Sequence, residues 1–249
     1  MQDMPLELEA KIERLGEILA GSRGTVFFGG AGTSTESGIP DFRSQDGLYA
    51  QKFKYPPERI LSRTFFDEHT DEFFAFYREK MLFLDAEPNA AHRALAAMEG
   101  AGRLEAVITQ NIDGLHQKAG SKNVLELHGS VHRNHCMGCG RAYGVSHVAG
   151  AAGAPRCECG GIVKPDVVLY EEGLDSDTLR RSAELISGAD TLIVGGTSLT
   201  VYPAAGFVDF FEGRSLVVIN RSPTSADKAA SLVINAGIAQ VLGSLRILR

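Results

Sequence analysis

Three short apolar runs in this chain end directly in loops of glycine and small polar residues, and this limits the folds open to it. Val26-Phe27-Phe28 runs into Gly29-Gly30-Ala31-Gly32, Leu104–Thr109 into Gln110-Asn111-Ile112-Asp113-Gly114, and Thr191–Val194 into Gly195-Gly196-Thr197-Ser198. Brief apolar runs bounded by turn signals read as strands buried on both faces. Ser215–Asn220 and Leu232–Asn235 read the same way. Helical patterns lie among them. Leu8, Ile12, Leu15 and Leu19 recur at helical spacing within 5–20, Pro88–Glu99 reads as a helix, and a last helix is expected at about 239–248. Strands alternating with helices predict an α/β fold whose parallel sheet is covered on both faces. Ligands of such sheets gather beyond the carboxyl ends of the strands, where the three loops fall.

The 249 residues suit one large domain, or one domain with a smaller module. A hydrophobic share of 44% and a charged share of 22% are ordinary for a soluble protein. The net charge of −6 argues against nonspecific nucleic-acid binding and mildly favours basic, lysine-bearing partners. Apolar runs reach only about five residues, far short of the roughly 20 that span a bilayer. The N-terminal MQDMPLELEAKIERL is charged and lacks the apolar core of a signal peptide. A cytoplasmic location without membrane attachment is therefore expected, with thiols kept reduced.

Two stretches interrupt the α/β rhythm. Residues 43–85 are rich in aromatics (Phe53, Tyr55, Phe65, Phe66, Phe73, Phe74, Phe76, Tyr77) and read as helices outside the sheet, packing a small module or lining a channel. Residues 131–164 hold all four cysteines, and their AGAAGAP loop at 149–155 is expected to be exposed and flexible. Two residues separate Cys136 from Cys139 and one separates Cys157 from Cys159, with 17 residues between the pairs. That spacing matches a four-thiolate zinc site. Four protein ligands leave no position for water, so the zinc is expected to be structural. His132 and His135 lie close enough to substitute if the tight second pair is strained.

Glycines after a strand let a backbone approach a pyrophosphate, but Thr35 stands where the full dinucleotide fingerprint wants a third glycine. No clean second strand ending in an acid follows about 20 residues on. A tight turn with no ligand is the alternative on this element alone. The run GAGTSTESGIPDFRS at 30–44 nevertheless carries hydroxyls, a rigid proline, an acid, an aromatic and an arginine, as a binding loop does. Asn111 and Asp113 have the donor and acceptor needed to read a carboxamide. His128 falls just before the cysteine module.

GAGTSTESGIPDFR, TQNIDGLH, ELHGS, the paired cysteines and GGTSLTVYPAA occur together in the order found in the sirtuin family, which this chain resembles from about residue 10 to 245. The resemblance implies a Rossmann-like NAD-binding domain (1–42, 85–130 and 165–249) and a small domain built from a helical module (43–84) and a zinc module (131–164). It implies NAD-dependent removal of acetyl groups, extending to longer apolar acyls, from protein lysines. Nicotinamide and O-acyl-ADP-ribose would be the products. On matching positions, His128 and Asn111 would be catalytic, His128 as general base. Ala31, Gly32, Thr35, Phe42, Arg43, Gln110, Ile112, Asp113, Thr197, Ser198, Asn220 and Ile238 would hold NAD. Cys136, Cys139, Cys157 and Cys159 would bind one zinc. The peptide would pair with the backbone of Val167-Val168-Leu169 and of the GGTSLTVYP loop, with Val168 contacting the acyl-lysine. The branch that removes acidic acyl groups carries a tyrosine and an arginine where Phe74 and Tyr77 stand here. Without a cation there, acetyl is expected over succinyl. Gly237 stands where the family often has aspartate. Mono-ADP-ribosyl transfer, a nonenzymatic zinc-ribbon binding module and a hydride-transferring dehydrogenase are the competing classes.

Overall fold

The structure, a computed structural model, describes residues 5–42 and 47–245. The strands are β1 (Thr25–Gly29), β2 (Ala106–Thr109), β3 (Val124–Glu126), β4 (Gly129–Cys136), β5 (Ala142–Tyr143), β6 (Val163–Val167), β7 (Thr191–Gly195), β8 (Ser215–Ile219) and β9 (Leu232–Ile234). Six of them form a parallel sheet in the order β3-β2-β1-β7-β8-β9, and β5-β4-β6 form a second, antiparallel sheet. The helices are α1 (Leu6–Gly21), α2 (Pro57–Ile60), α3 (Arg63–Glu68), α4 (Thr70–Lys80), α5 (Ala90–Gly100), α6 (Leu115–Ala119), α7 (Val145–Ala149), α8 (Ser176–Gly188) and α9 (Ile238–Gly243).

The central strands β1, β2 and β7 are buried at every residue, as a sheet covered on both faces requires. Alternation divides their side chains. Phe27, Val107, Ile193 and Val217 face one core together with Leu15, Leu95 and Val241 of the helices. Phe28, Ile108, Val194 and Val218 face the other with Ile186 and Phe207. A third core gathers Phe65, Phe66, Phe73, Phe74 and Tyr77 with Val131, Val148, Val163 and Val167. The aromatic stretch therefore packs, and its partner is the cysteine-bearing module. Rings meet edge-on at Phe66–Phe73 (5.0 Å) and stacked at Phe73–Tyr77 (5.6 Å).

Several elements differ from expectation. The helix expected from Pro88 starts at Ala90, because Asn89 caps it by accepting from Ala91 N at 2.9 Å and His92 N at 3.4 Å. The expected final helix ends at Gly243; residues 246–249 lie outside the described residues. Helix α8 adds to the expected elements; Asp175 caps it by accepting from Thr178 N, and Ser182 and Ile186 are buried at helical spacing. Strand β4 also adds to them. Its polar run GSVHRNHC carries a register shift between Ser130 and Asn134 that breaks simple alternation. The loop at 149–155 is pinned: Asp71 accepts from Ala154 N at 2.8 Å and Arg78 donates to Gly153 O at 2.9 Å, and Pro155 is buried.

The Phe27 ring lies directly beneath two site loops, since a Cβ placed on Gly195 would sit 2.9 Å from it and one on Gly29 would also collide with it. Phe27 is fully buried. Phe27→Ala should cost roughly 3–5 kcal/mol of stability, read as a lower denaturation midpoint in urea.

Candidate functional site

Parallel pairing sets Gly29 beside Thr109 and Gly195, so the loops leaving β1, β2 and β7 emerge at one level. They then bond to each other. Gly30 N donates to Gly195 O at 3.2 Å, Gly32 N to Gly196 O at 2.8 Å, and Gln110 N to Gly29 O at 2.9 Å. A Cβ on Gly32 would lie 2.8 Å from the Gly196 Cα, and Gly196 itself has φ +60. These glycines are required because two backbones touch, whether or not a pyrophosphate approaches them. Gln110 Nε2 donates to Thr197 Oγ1 at 3.0 Å, which joins two expected cofactor residues. Thr35 Oγ1 donates to Gly32 O at 3.1 Å, and Ser198 Oγ shares a hydrogen bond with Thr200 Oγ1 at 2.8 Å.

Ser34, which the sequence did not single out among its neighbouring hydroxyls, is the hub of the buried polar network. Its hydroxyl donates to Asp113 Oδ2 at 2.6 Å and accepts from Asn111 Nδ2 at 3.0 Å. His92 Nε2 lies 3.5 Å away. Asn89 N can only donate, and it meets His92 Nδ1 at 3.2 Å, so the His92 proton sits on Nε2, facing Ser34. Asp113 Oδ1 accepts from Leu115 N at 2.9 Å. Behind this network His116 stacks edge-on against His92 at 4.7 Å, with neither ring nitrogen paired among the described residues. Burial pushes His92 down to about 4 and His116 down to about 3, so both rings are neutral.

His128 Nδ1 lies 3.0 Å from Gln110 O. A carbonyl only accepts, so Nδ1 carries the proton and Nε2 keeps its lone pair, the form a general base needs. Burial lowers its pKa, partly offset by the bond to Gln110. Val168 N donates to His128 O at 3.0 Å. Leu169 N is held by Glu172 Oε2 at 2.8 Å and Tyr170 N by Leu61 O at 2.9 Å. Val167 O accepts from Lys164 Nζ at 3.0 Å, Leu169 O from Glu172 N at 3.0 Å and Tyr170 O from Arg63 N at 2.9 Å, so most backbone groups of this segment are already bonded within the chain.

The Phe42 ring meets Tyr49 edge-on at 5.6 Å. Ile112 is half-buried against the third core, and its carbonyl accepts from Val131 N at 3.0 Å. Ala31 is half-buried. Asn220 Nδ2 donates to Ser222 O at 2.7 Å. The Ile238 side chain is buried in the first core beneath Gly195, which leaves only its backbone to face a ligand. A Cβ on Gly237 would meet the carboxylate of Glu36, itself 3.8 Å from Arg221. Arg43 lies outside the described residues.

The four cysteine sulfurs all lie within 4.8 Å of one another, with Cys136–Cys159 at 3.4 Å and Cys139–Cys157 at 3.6 Å. A tetrahedral site with Zn–S bonds near 2.3 Å has sulfurs about 3.8 Å apart, so the donor set fits zinc. A Cβ on Gly161 would lie 2.8 Å from the Cys136 sulfur. The Tyr143 hydroxyl draws the Cys157 thiol down to about 6. His132 Nε2 meets Asp113 O at 2.9 Å and His135 Nδ1 meets Asp166 Oδ1 at 2.8 Å, so both histidines are committed elsewhere.

A model of the Sir2 family matches residues 30–203. The chain belongs to this family. Sir2 relatives include the NAD-dependent protein deacetylase of Clostridium acetobutylicum, 61% identical over 93% of this chain and 96% of that one. The Cutibacterium acnes protein of the same name is 56% identical over 94% and 97%. Among Sir2 structures, one described as a Sir2–p53 peptide–NAD+ complex is 40% identical, with a TM-score of 0.83 over 93% of this chain and 95% of that one. Another, from work on the mechanism and regulation of Sir2 enzymes, is 42% identical, with a TM-score of 0.86 over 96% and 97%.

The histidine pair carries a pH signature. Unfolded, both rings take up protons near pH 6.5; folded, they do so only near 4 and 3. Their stabilising contribution is full above pH 6.5 and is lost as pH falls toward those values, by up to about 1.4 kcal/mol per pH unit for each ring. Urea midpoints taken from pH 7 to pH 4 should show this slope, and His116→Leu should remove about half of the histidine share.

Proposed function

We propose that this chain is an NAD-dependent protein-lysine deacetylase that transfers the acetyl group to the ADP-ribose of NAD and releases nicotinamide. The observation that carries this reading is the protonation of His128: Gln110 O, from the loop that also carries Asn111 and Asp113, fixes the proton on Nδ1 and leaves Nε2 basic. NAD, as co-substrate, supplies the electrophilic ribose carbon that accepts the acyl oxygen as nicotinamide leaves. His128 then accepts the proton of a ribose hydroxyl, which attacks the former amide carbon; one water completes the cleavage, so that the lysine amine leaves and the acetyl group stays on the ribose, and the lowered pKa of His128 keeps it neutral for its step at pH 7. Asn111, Gln110, Ile112 and Asp113 would line the nicotinamide ribose pocket. Ala31, Gly32, Thr35, Phe42, Arg43, Thr197, Ser198, Asn220 and the Ile238 backbone would hold the rest of the cofactor.

The Val168 carbonyl is assigned to the acyl-lysine amide, because its own N–H is spent on His128 O. Acetyl is favoured over succinyl because Phe74 and Tyr77 sit in an apolar aromatic cluster. Arg78, next along the chain, donates to Gly153 O and holds its guanidinium 5.9 Å from the centre of the Phe74 ring. The division into a Rossmann-like domain (1–42, 85–130, 165–249) and a small domain (43–84, 131–164) belongs to the same proposal. Two cores flanking the parallel sheet and a separate third core support it. The substrates are acyl-lysine proteins, with no nucleic acid or membrane involved, acted on in the cytoplasm. Among the described residues no helix is long and apolar enough to cross a membrane.

His128→Ala tests the role of the base. Acetyl-peptide turnover should fall by roughly 10²–10⁴-fold, while calorimetry still registers NAD binding. The wild-type rate should rise with pH through a value below the ordinary histidine pKa of about 6.5 and then level off. A His128→Ala enzyme within a few-fold of wild type would remove the base from the reading.

A further inference from the structure

Glu171 adopts a left-handed backbone, φ +77, in the turn that follows the peptide-facing segment. That conformation costs a residue with a side chain free energy and persists only where its surroundings hold it. Glu171 Oε2 accepts from Thr64 N at 2.8 Å and from Thr64 Oγ1 at 2.7 Å. Thr64 is the second residue of α3, where a helix amide has no partner within the helix. The Thr64 hydroxyl and amide keep the Glu171 carboxyl below its ordinary pKa, hence charged.

The rest of the turn is tied to the same wall. Arg63 N donates to Tyr170 O and Tyr170 N to Leu61 O, both at 2.9 Å. Glu172 takes Leu169 N at 2.8 Å, Lys164 Nζ at 3.0 Å and Arg63 Nη1 at 3.3 Å. Tyr170 shares a hydrogen bond of 2.6 Å with the Tyr49 hydroxyl, and Tyr49 packs on Phe42. Val168 leads directly into this turn.

We propose that Glu171 is a positioning residue for the acyl-lysine peptide: by holding a left-handed turn and gripping the first turn of α3, it fixes the Val168 carbonyl at the distance the peptide needs. The inference rests on the deacetylase reading of the same cleft. The His128 ring takes its tautomer from Gln110 O on another loop, and Val168 N reaches only the His128 backbone carbonyl, so losing the grip leaves the proton of the base on Nδ1.

Steady-state kinetics on the full chain decide it. Glu171→Gly keeps the left-handed turn at no steric cost but removes the carboxylate. It should raise the peptide KM roughly three- to tenfold, with kcat, the NAD KM and the acid limb of the pH profile within twofold of wild type. Thr64→Val, which removes only the hydroxyl donor, should give a smaller rise. Glu171→Gln keeps an acceptor and should restore most of the wild-type KM. Thermal melting should show no loss for Glu171→Gly. An unchanged peptide KM in Glu171→Gly overturns the proposal. So does a parallel loss of kcat and NAD affinity with a lowered melting point, which marks a merely structural residue. A wild-type chain without turnover would instead count against the deacetylase reading.

Discussion

The contact between the Gly32 and Gly196 backbones is the constraint on which the cleft depends. Parallel pairing of β1 with β2 and β7 delivers three loops to one edge of the sheet. Only residues without side chains let two of them touch, at the place where a Cβ on either would overlap the other loop. Once they touch, Gln110 is close enough to bond Thr197, and its carbonyl points at His128. A single register thus sets the three loops and the tautomer of His128. Phe27 supports the arrangement from below and gives the sheet core a direct mechanical link to the site.

The second dependency runs through the third core. The cysteine module and helix α4 share apolar contacts, and Asp71 and Arg78 tie the loop between the cysteine pairs to that helix. A metal held by the four sulfurs would order β4 and β6, and β6 leads to Val168. Zinc held there would act at a distance from the site, and a four-thiolate donor set leaves no position for catalysis.

Much of this was legible in the residues, for physical reasons. Continuous apolar runs closed by glycine identify buried parallel strands, and paired cysteines at short spacing identify a tetrahedral site. Other features needed coordinates. Ser34 looks like one hydroxyl among several until Asp113 and Asn111 converge on it from another loop. The role of His92 depends on which nitrogen an amide 3.2 Å away selects. Strand β4 hides in a polar, bulged run, and Glu171 at positive φ has no signature in a sequence of ordinary acids. His132 and His135 looked like reserve zinc ligands by proximity along the chain; in space each is held by an aspartate.

The most direct test of the account is a product balance by mass spectrometry: an acetyl-lysine peptide incubated with the zinc-loaded protein, with and without NAD. Deacetylation should occur only with NAD, with nicotinamide and O-acetyl-ADP-ribose formed in equal amounts to the deacetylated peptide. Free acetate formed without NAD, or NAD consumed while the peptide keeps its acetyl group and the protein gains ADP-ribose, would contradict it.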